Sequence, residues 1–280
     1  MKVFSSIKET ISYLEQQKIA EKSIGFVPTM GALHDGHLAL MRRAKKENDL
    51  LVVSIFVNPV QFNNADDLKK YPHTPEDDTR KLESIYCDVL FAPNAEEMYP
   101  ETVTKKYDFG RLDKVMEGAF RPGHFNGVAI VVKKLFDIIR PDRSYFGEKD
   151  FQQLAIIKKM VAMEKIPVKV VSCPIVREPD GLAMSSRNRL LSAEERKVAP
   201  FIFKTLQEAR HRRKHLCANP LKQMIINIFE SNEQFRLEYF DIVNDETLQP
   251  IDGWNDKIGT VACVAIWLGS VRLIDNIRII

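Results

Sequence analysis

The strongest constraint on the fold lies between residues 24 and 57, where a strand, a glycine loop, a helix and a second strand follow one another. Ile24-Gly25-Phe26-Val27 is a short apolar run, bounded by Gly31 and polar residues, as a buried strand would be. From Leu38 the apolar positions recur at helical spacing, through Met41 and Ala44. Leu50-Leu51-Val52-Val53-Ser54-Ile55-Phe56-Val57 is then an almost unbroken apolar, β-branched run. Such a run is expected of a parallel strand covered on both faces. A strand, helix and strand in this order imply a right-handed parallel crossover. The fold class predicted is α/β, with a Rossmann-like parallel sheet.

The loop between the first strand and its helix, residues 28–37, is where chemistry is expected. The first amides of a helix have no internal partner and its dipole is positive at that end, so phosphates bind well there. The spacing Gly31-x-x-x-x-Gly36 mimics a P-loop, but His37-Leu38 stands where that loop needs Lys followed by Ser or Thr. Two readings of His34 and His37 stay open on this stretch alone. They are two polar histidines on a loop, or they are similar to the His-Ile-Gly-His pair of nucleotidyltransferases and class I aminoacyl-tRNA synthetases. In the second reading the imidazoles hydrogen-bond to ATP phosphates as charge builds on the leaving pyrophosphate.

A chain of 280 residues is long enough for two domains or one large one. Strand and helix alternate as far as residue 176, with strands expected at 88–92, 145–147 and 167–176. Residues 1–176 are therefore read as the Rossmann-like domain and 177–280 as a smaller α+β domain. A helix is expected over 5–20 behind Ser5 or Ser6, another behind Thr74, and a polar loop at Asn63, Asn64, Asp66 and Asp67. Ser192-x-x-Glu195 is a capping box expected to open one helix running to about residue 215. Strands follow at 236–243, 259–268 and 271–279.

Charge excludes some partners. Lys and Arg number 41 against 38 Asp and Glu, so nucleic acid is not expected as the main partner, and any anion site must be local. The basic run at 211–215 reads as a solvated helix end or, with less support, as an RNA-binding patch. No apolar stretch reaches the length of a membrane span, and Met1-Lys2-Val3-Phe4-Ser5 resembles neither a signal nor a transit peptide. Cys87, Cys173, Cys217 and Cys263 are widely spaced, and read as buried thiols of a reducing compartment. A cytoplasmic location is expected.

Three further clusters carry polar chemistry. Gly147-Glu148-Lys149-Asp150 follows an expected strand, so Lys149 would lie near the carboxyl edge of the sheet, where open α/β folds bind ligands. Met184-Ser185-Ser186-Arg187-Asn188 offers hydroxyls and a guanidinium on a loop that could close over phosphates. Gln61, just after Asn58-Pro59, could present an amide to a small polar substrate. Asp77 and Asp78 by themselves complement the dipole of the helix they begin.

Together these segments resemble the pantoate–β-alanine ligase family over nearly the whole chain. The matching residues are Pro28-Thr29-Met30-Gly31-Ala32-Leu33-His34-Asp35-Gly36-His37, Phe56-Val57-Asn58-Pro59-x-Gln61-Phe62, Tyr71-Pro72 and Arg121-Pro122-Gly123-His124-Phe125. Phe146-Gly147-Glu148-Lys149-Asp150-x-Gln152-Gln153, Met184-Ser185-Ser186-Arg187-Asn188 and Arg272-Leu273-Ile274-Asp275-Asn276 complete the set. The resemblance implies a homodimer and a two-step reaction. Pantoate carboxylate attacks the α-phosphorus of magnesium-ATP, and the β-alanine amine then displaces AMP from the pantoyl adenylate. It also implies that His34, His37, Lys149, Ser185, Ser186 and Arg187 bind the ATP phosphates. Pro28, Thr29, Met30, Gly36, Gly147, Asp150, Val176 and Met184 would line the nucleotide, Gln61, Gln153 and Met30 would hold pantoate, and Asp77 and Asp78 would lie near the magnesium. Family members usually carry Arg after Tyr-Pro where this chain has His73, so a charge contact there would depend on pH. Two other readings remain: a nucleotidyltransferase that stops after adenylation, and a nucleotide-binding module without turnover.

Overall fold

The computed structural model describes residues 1–62, 68–69 and 71–280, so the polar loop read at Asn63 to Asp67 lies outside the described residues. In chain order these residues form β1 (Lys2–Phe4), α1 (Ile7–Ile19), β2 (Ile24–Thr29), α2 (Asp35–Glu47), β3 (Leu50–Ile55), α3 (Pro75–Ser84), β4 (Val89–Phe91), α4 (Ala95–Met98), α5 (Met116–Phe120), α6 (His124–Ile139) and β5 (Arg143–Gly147). There follow α7 (Phe151–Met163), β6 (Lys169–Cys173), α8 (Ala193–Val198), α9 (Phe201–Arg212), α10 (Ala218–Glu230), β7 (Phe235–Asn244), β8 (Thr260–Leu268) and β9 (Val271–Arg278). Short 3₁₀ turns occupy Pro59–Gln61, Glu148–Asp150 and Ser186–Leu190.

The first sheet has the order β1-β4-β3-β2-β5-β6, with every pairing parallel. The strand order reverses at β2, with β3 on one side and β5 on the other. The crevice outside the carboxyl ends of such a pair is the ordinary ligand position of an open α/β sheet. Leu38, Met41 and Ala44, the helical positions of the opening motif, pack with Val27, Leu51 and Val53 in one cluster, so α2 covers one face. On the other, Phe136 of α6 meets Phe26 edge-on at 6.3 Å.

Tyr145, on β5, is buried with its hydroxyl donating to Glu47 at 2.9 Å and accepting from Asn48 at 2.7 Å. Burial, with the Glu47 carboxylate adding to it, pushes its phenol up to about 12. The folded chain thus holds this proton more tightly than the unfolded one, whose tyrosines titrate near ~10. Stability from this group is full below that value and is lost as pH rises from there towards about 12. Urea unfolding between pH 9 and 11.5 should show a smaller alkaline loss in Tyr145→Phe than in the unsubstituted chain.

The chain divides into two compact units. One comprises 1–109, 121–148 and 156–174; the other comprises 110–120, 149–155 and 175–280. Both excursions, 110–120 and 149–155, fall on the N-terminal side of the boundary expected at residue 176. Their apolar residues explain where they go: Leu112, Val115, Met116, Phe151 and Ala155 pack with Val243, Leu248, Val261 and Cys263. Ion pairs add to this. Arg272 donates through both terminal nitrogens to Glu117, at 2.7 and 2.9 Å, and Tyr239 donates to the same carboxylate at 3.0 Å.

The second unit carries the antiparallel sheet β7-β8-β9, with a bulge between Leu237 and Tyr239. Residues of α9 and α10, including Ile202, Leu206, Leu221 and Ile225, form its core with Phe240, Val264 and Leu273. The capping box closes in both directions, but the single helix expected behind it is two, α8 and α9. Pro200, which has no N–H to donate, stands between them. The strand β1 and the helices α4, α5 and α10 have no counterpart in the sequence pattern described above. Cys87, Cys173 and Cys263 are buried, whereas Cys217 is exposed at the start of α10, so the expectation of four buried thiols is corrected there.

Candidate active site

The loop after β2 turns through two left-handed residues, Gly31 with φ 81° and Ala32 with φ 49°. For alanine that conformation costs about 1–2 kcal/mol, so something must hold it. Asp78 does so. It is 2% exposed, and its two carboxylate oxygens accept the amides of Ala32 at 2.9 Å and Leu33 at 2.7 Å. Successive amides pointing into one concavity form an anion site, and here a side chain of the same protein fills it. The Thr74 hydroxyl donates to the same carboxylate at 3.2 Å, so Thr74 does not cap α3 with its side chain as expected. Lys81, one turn on, donates to the Leu33 carbonyl at 2.6 Å and to Asp77 at 2.7 Å.

With its approach fixed, α2 is preceded by His34 as its N-cap residue, whose backbone is extended and whose carbonyl accepts from Leu38. The rings of His34 and His37 lie 4.0 Å apart, tilted by 33°. The His34 amide donates to Nδ1 of His37 at 3.4 Å. A nitrogen that accepts cannot carry the proton, so neutral His37 holds its proton on Nε2 and can donate from there. Both rings are half-buried at the helix N-terminus.

Gln61 is buried in the turn after β3. Its side-chain nitrogen lies 3.0 Å from the Met30 sulfur and its oxygen accepts from Asn58 at 3.2 Å. Asn58 is itself held by the Tyr99 hydroxyl at 2.8 Å and donates to the Gly127 carbonyl at 3.2 Å. His124 Nδ1 lies 2.8 Å from the Gln61 carbonyl, and Arg121 reaches His124 Nε2 at 3.2 Å. The Arg121 to Phe125 segment therefore braces Gln61, a role no sequence pattern disclosed, although its residues stood among the motifs. Gly127 lets α6 approach this turn: a Cβ there would lie 2.5 Å from the Val60 carbonyl oxygen and 2.7 Å from Gln61 Cα. Gly127→Ala is expected to cost about 1–3 kcal/mol, since the obstruction is backbone and cannot yield. Urea unfolding would measure it, with no loss counting against this packing.

The predicted residues fall into two groups. Pro28, Thr29, Met30, Gly36, His34, His37, Gln61, Asp77, Asp78 and Gly147 belong to the first unit, and the structure brings Met30 to Gln61, His34 to His37 and Asp78 to the loop. Lys149, Asp150, Gln153, Val176, Met184, Ser185, Ser186 and Arg187 belong to the second. There Met184 donates its amide to the Val176 carbonyl at 3.0 Å, Ser185 caps the turn by accepting from Arg187 at 3.3 Å, and Ser186 is buried. Lys149 and Gln153 are half-buried, and His73 is exposed.

Both oxygens of Asp78 accept amides, which makes this residue the anchor of the loop beside the magnesium role that the resemblance implies. Asp77 is half-buried and shared with Lys81 and, at 3.6 Å, Arg80. Among the described residues no group of three or more His, Cys, Asp or Glu could enclose a metal. A magnesium ion carried by nucleotide phosphates needs only one or two carboxylates, and Asp77 fits that need.

A parallel sheet reversing at β2, with paired imidazoles at the helix entrance beside the reversal, defines a nucleotidyltransferase-like α/β protein. Structural comparison agrees. Pantothenate synthetase from Thermus thermophilus superposes with a TM-score of 0.93 at 43% identity, over 100% of this chain and 99% of that one. A pantoate-beta-alanine ligase from Francisella tularensis, solved with beta-gamma ATP and beta-alanine, gives a TM-score of 0.84 at 37% identity, over 99% and 97%. The family model for pantoate-beta-alanine ligase matches residues 2–278. Among curated relatives, the pantothenate synthetases of Bacteroides thetaiotaomicron and Porphyromonas gingivalis are 50% and 46% identical, each over 99% of both chains. The chain belongs to the pantoate–β-alanine ligase family, and it is a ligase.

Proposed function

We propose that this protein condenses pantoate with β-alanine at the expense of ATP, through a pantoyl adenylate. The observation that carries the reading is the His34 and His37 pair at the start of α2, with the His37 proton directed to Nε2. In the first step a pantoate carboxylate oxygen attacks the α-phosphorus, and the bond to the β-phosphate oxygen breaks. Pyrophosphate leaves with that electron pair. His34 and His37 donate to its oxygens as charge develops, and Lys149, Ser185, Ser186 and Arg187 add cationic and hydroxyl donors. The carboxylate needs no general base, since carboxylic acids titrate near ~4. In the second step the β-alanine amine attacks the acyl carbon, the bond to AMP oxygen breaks, and the amine loses a proton.

Gln61 and Gln153 orient pantoate through its hydroxyls and carboxylate, while Met30 packs against its methyl groups. Orientation is most of what such a reaction requires, because both reactants are already reactive. Magnesium bound with the ATP would neutralise phosphate charge, with Asp77 and Asp78 as the protein carboxylates near it. Homodimeric assembly and a cytoplasmic location complete the proposal. Among the described residues no helix is long and apolar enough to cross a membrane.

Exchange of labelled pyrophosphate into ATP, with pantoate and magnesium present and β-alanine absent, tests the first step. Exchange that depends on pantoate is expected, followed by AMP release once β-alanine is added. Exchange without amine-dependent AMP release would leave a nucleotidyltransferase, and no exchange with any carboxylic acid would remove adenylation itself.

A further inference from the structure

We propose that Asn276 is a positioning residue for Lys149, held in place by the ion pair of half-buried Arg177 with buried Asp275. The proposal rests on the reading of Lys149 as a phosphate-binding residue. Asn276 lies on β9, 5% exposed, and its side-chain nitrogen donates to the Lys149 carbonyl oxygen at 3.0 Å. That bond fixes the peptide between Lys149 and Asp150 within the 3₁₀ turn Glu148–Asp150. A long side chain turns any rotation of its own backbone into a displacement of the ammonium group, so the peptide plane governs where the charge sits.

Asn276 is itself constrained. Its amide donates to Asp275 Oδ1 at 2.7 Å, and Asp275 takes Arg177 through both oxygens, at 2.6 and 3.0 Å. Arg177 returns to the Asn276 carbonyl at 3.1 Å and to the Gly181 carbonyl at 3.1 Å, with Phe203 stacked 3.6 Å beneath its guanidinium. Gly181 belongs to the turn closed by the bridge between Arg177 and Ala183, which leads directly into Met184-Ser185-Ser186-Arg187. One network therefore links the two segments of this unit that carry Lys149 and Arg187. A buried ion pair is weak evidence for stability, because apolar residues of similar volume often do as well. What apolar residues could not do is fix a lysine peptide and a loop in one register.

The test is Asn276→Ala in the full chain, alone and combined with Lys149→Ala, read by pantoate-dependent pyrophosphate exchange and by thermal unfolding. The single variant should lose about ten- to a hundredfold in exchange rate, the cost of a misplaced group. In the Lys149→Ala background it should lose nothing further, since the two residues act as a unit. An exchange rate equal to that of the unsubstituted protein would overturn the proposal. So would a loss that multiplies undiminished onto Lys149→Ala, which marks a structural role. Asn276→Leu, near in shape and lacking a donor, repeats the cycle if the alanine variant does not fold. Absence of exchange in the unsubstituted protein would overturn the functional reading and this proposal with it.

Discussion

Asp78→Ala is expected to destabilise the protein with neither nucleotide nor magnesium present. The substitution leaves the Ala32 and Leu33 amides buried without their carboxylate, at about 1–3 kcal/mol for each donor. It also releases the left-handed turn at Gly31 and Ala32 that directs the chain into α2. Asp78→Asn should fall between, because the side-chain oxygen still accepts one amide while its NH₂ opposes the other. The comparison separates two roles for this residue. A carboxylate that only met a metal would leave urea unfolding of the ligand-free chain unchanged, and an unchanged midpoint in Asp78→Ala would sink the loop-anchor role.

His37→Ala should lower pantoate-dependent pyrophosphate exchange by about a hundred- to a thousandfold, the usual effect of removing one donor aimed at developing negative charge. Folding should hardly change, since the ring is half-buried and its bond to the His34 amide, at 3.4 Å, is long. Glutamine at this position restores a donor without the fixed geometry, so His37→Gln should recover part of the rate. Exchange by His37→Ala at more than about a tenth of the normal rate would take His37 out of the group that binds phosphate.

The α/β class and the opening crossover were legible because each rests on a local period. Val27, Leu38, Met41, Leu51 and Val53 carry it, and all five meet in one cluster. The site motifs were legible for a different reason, since a helix start behind a glycine loop has unpaired amides in any protein. Local signals failed where the chain is short or interrupted. The three residues of β1 hold no period, and Pro200 splits a pattern that otherwise reads as continuous. The excursions at 110–120 and 149–155 were invisible for the same reason: five apolar side chains choose a partner far along the chain, and no spacing encodes that choice.

By itself the sequence determined a parallel sheet, a glycine loop opening a helix with two histidines, and the family to which those motifs belong. Tertiary structure alone decided how the charged residues are used. Asp78 and Asp77 are adjacent acids in one helical turn with the same intrinsic chemistry, yet one is spent on two amides of a distant loop and the other meets Lys81. Asn276 likewise becomes a partner of Lys149 only because β9 brings it there. A hydrogen bond depends on distance and direction in space, and residues far apart in the chain acquire both only when the core has closed.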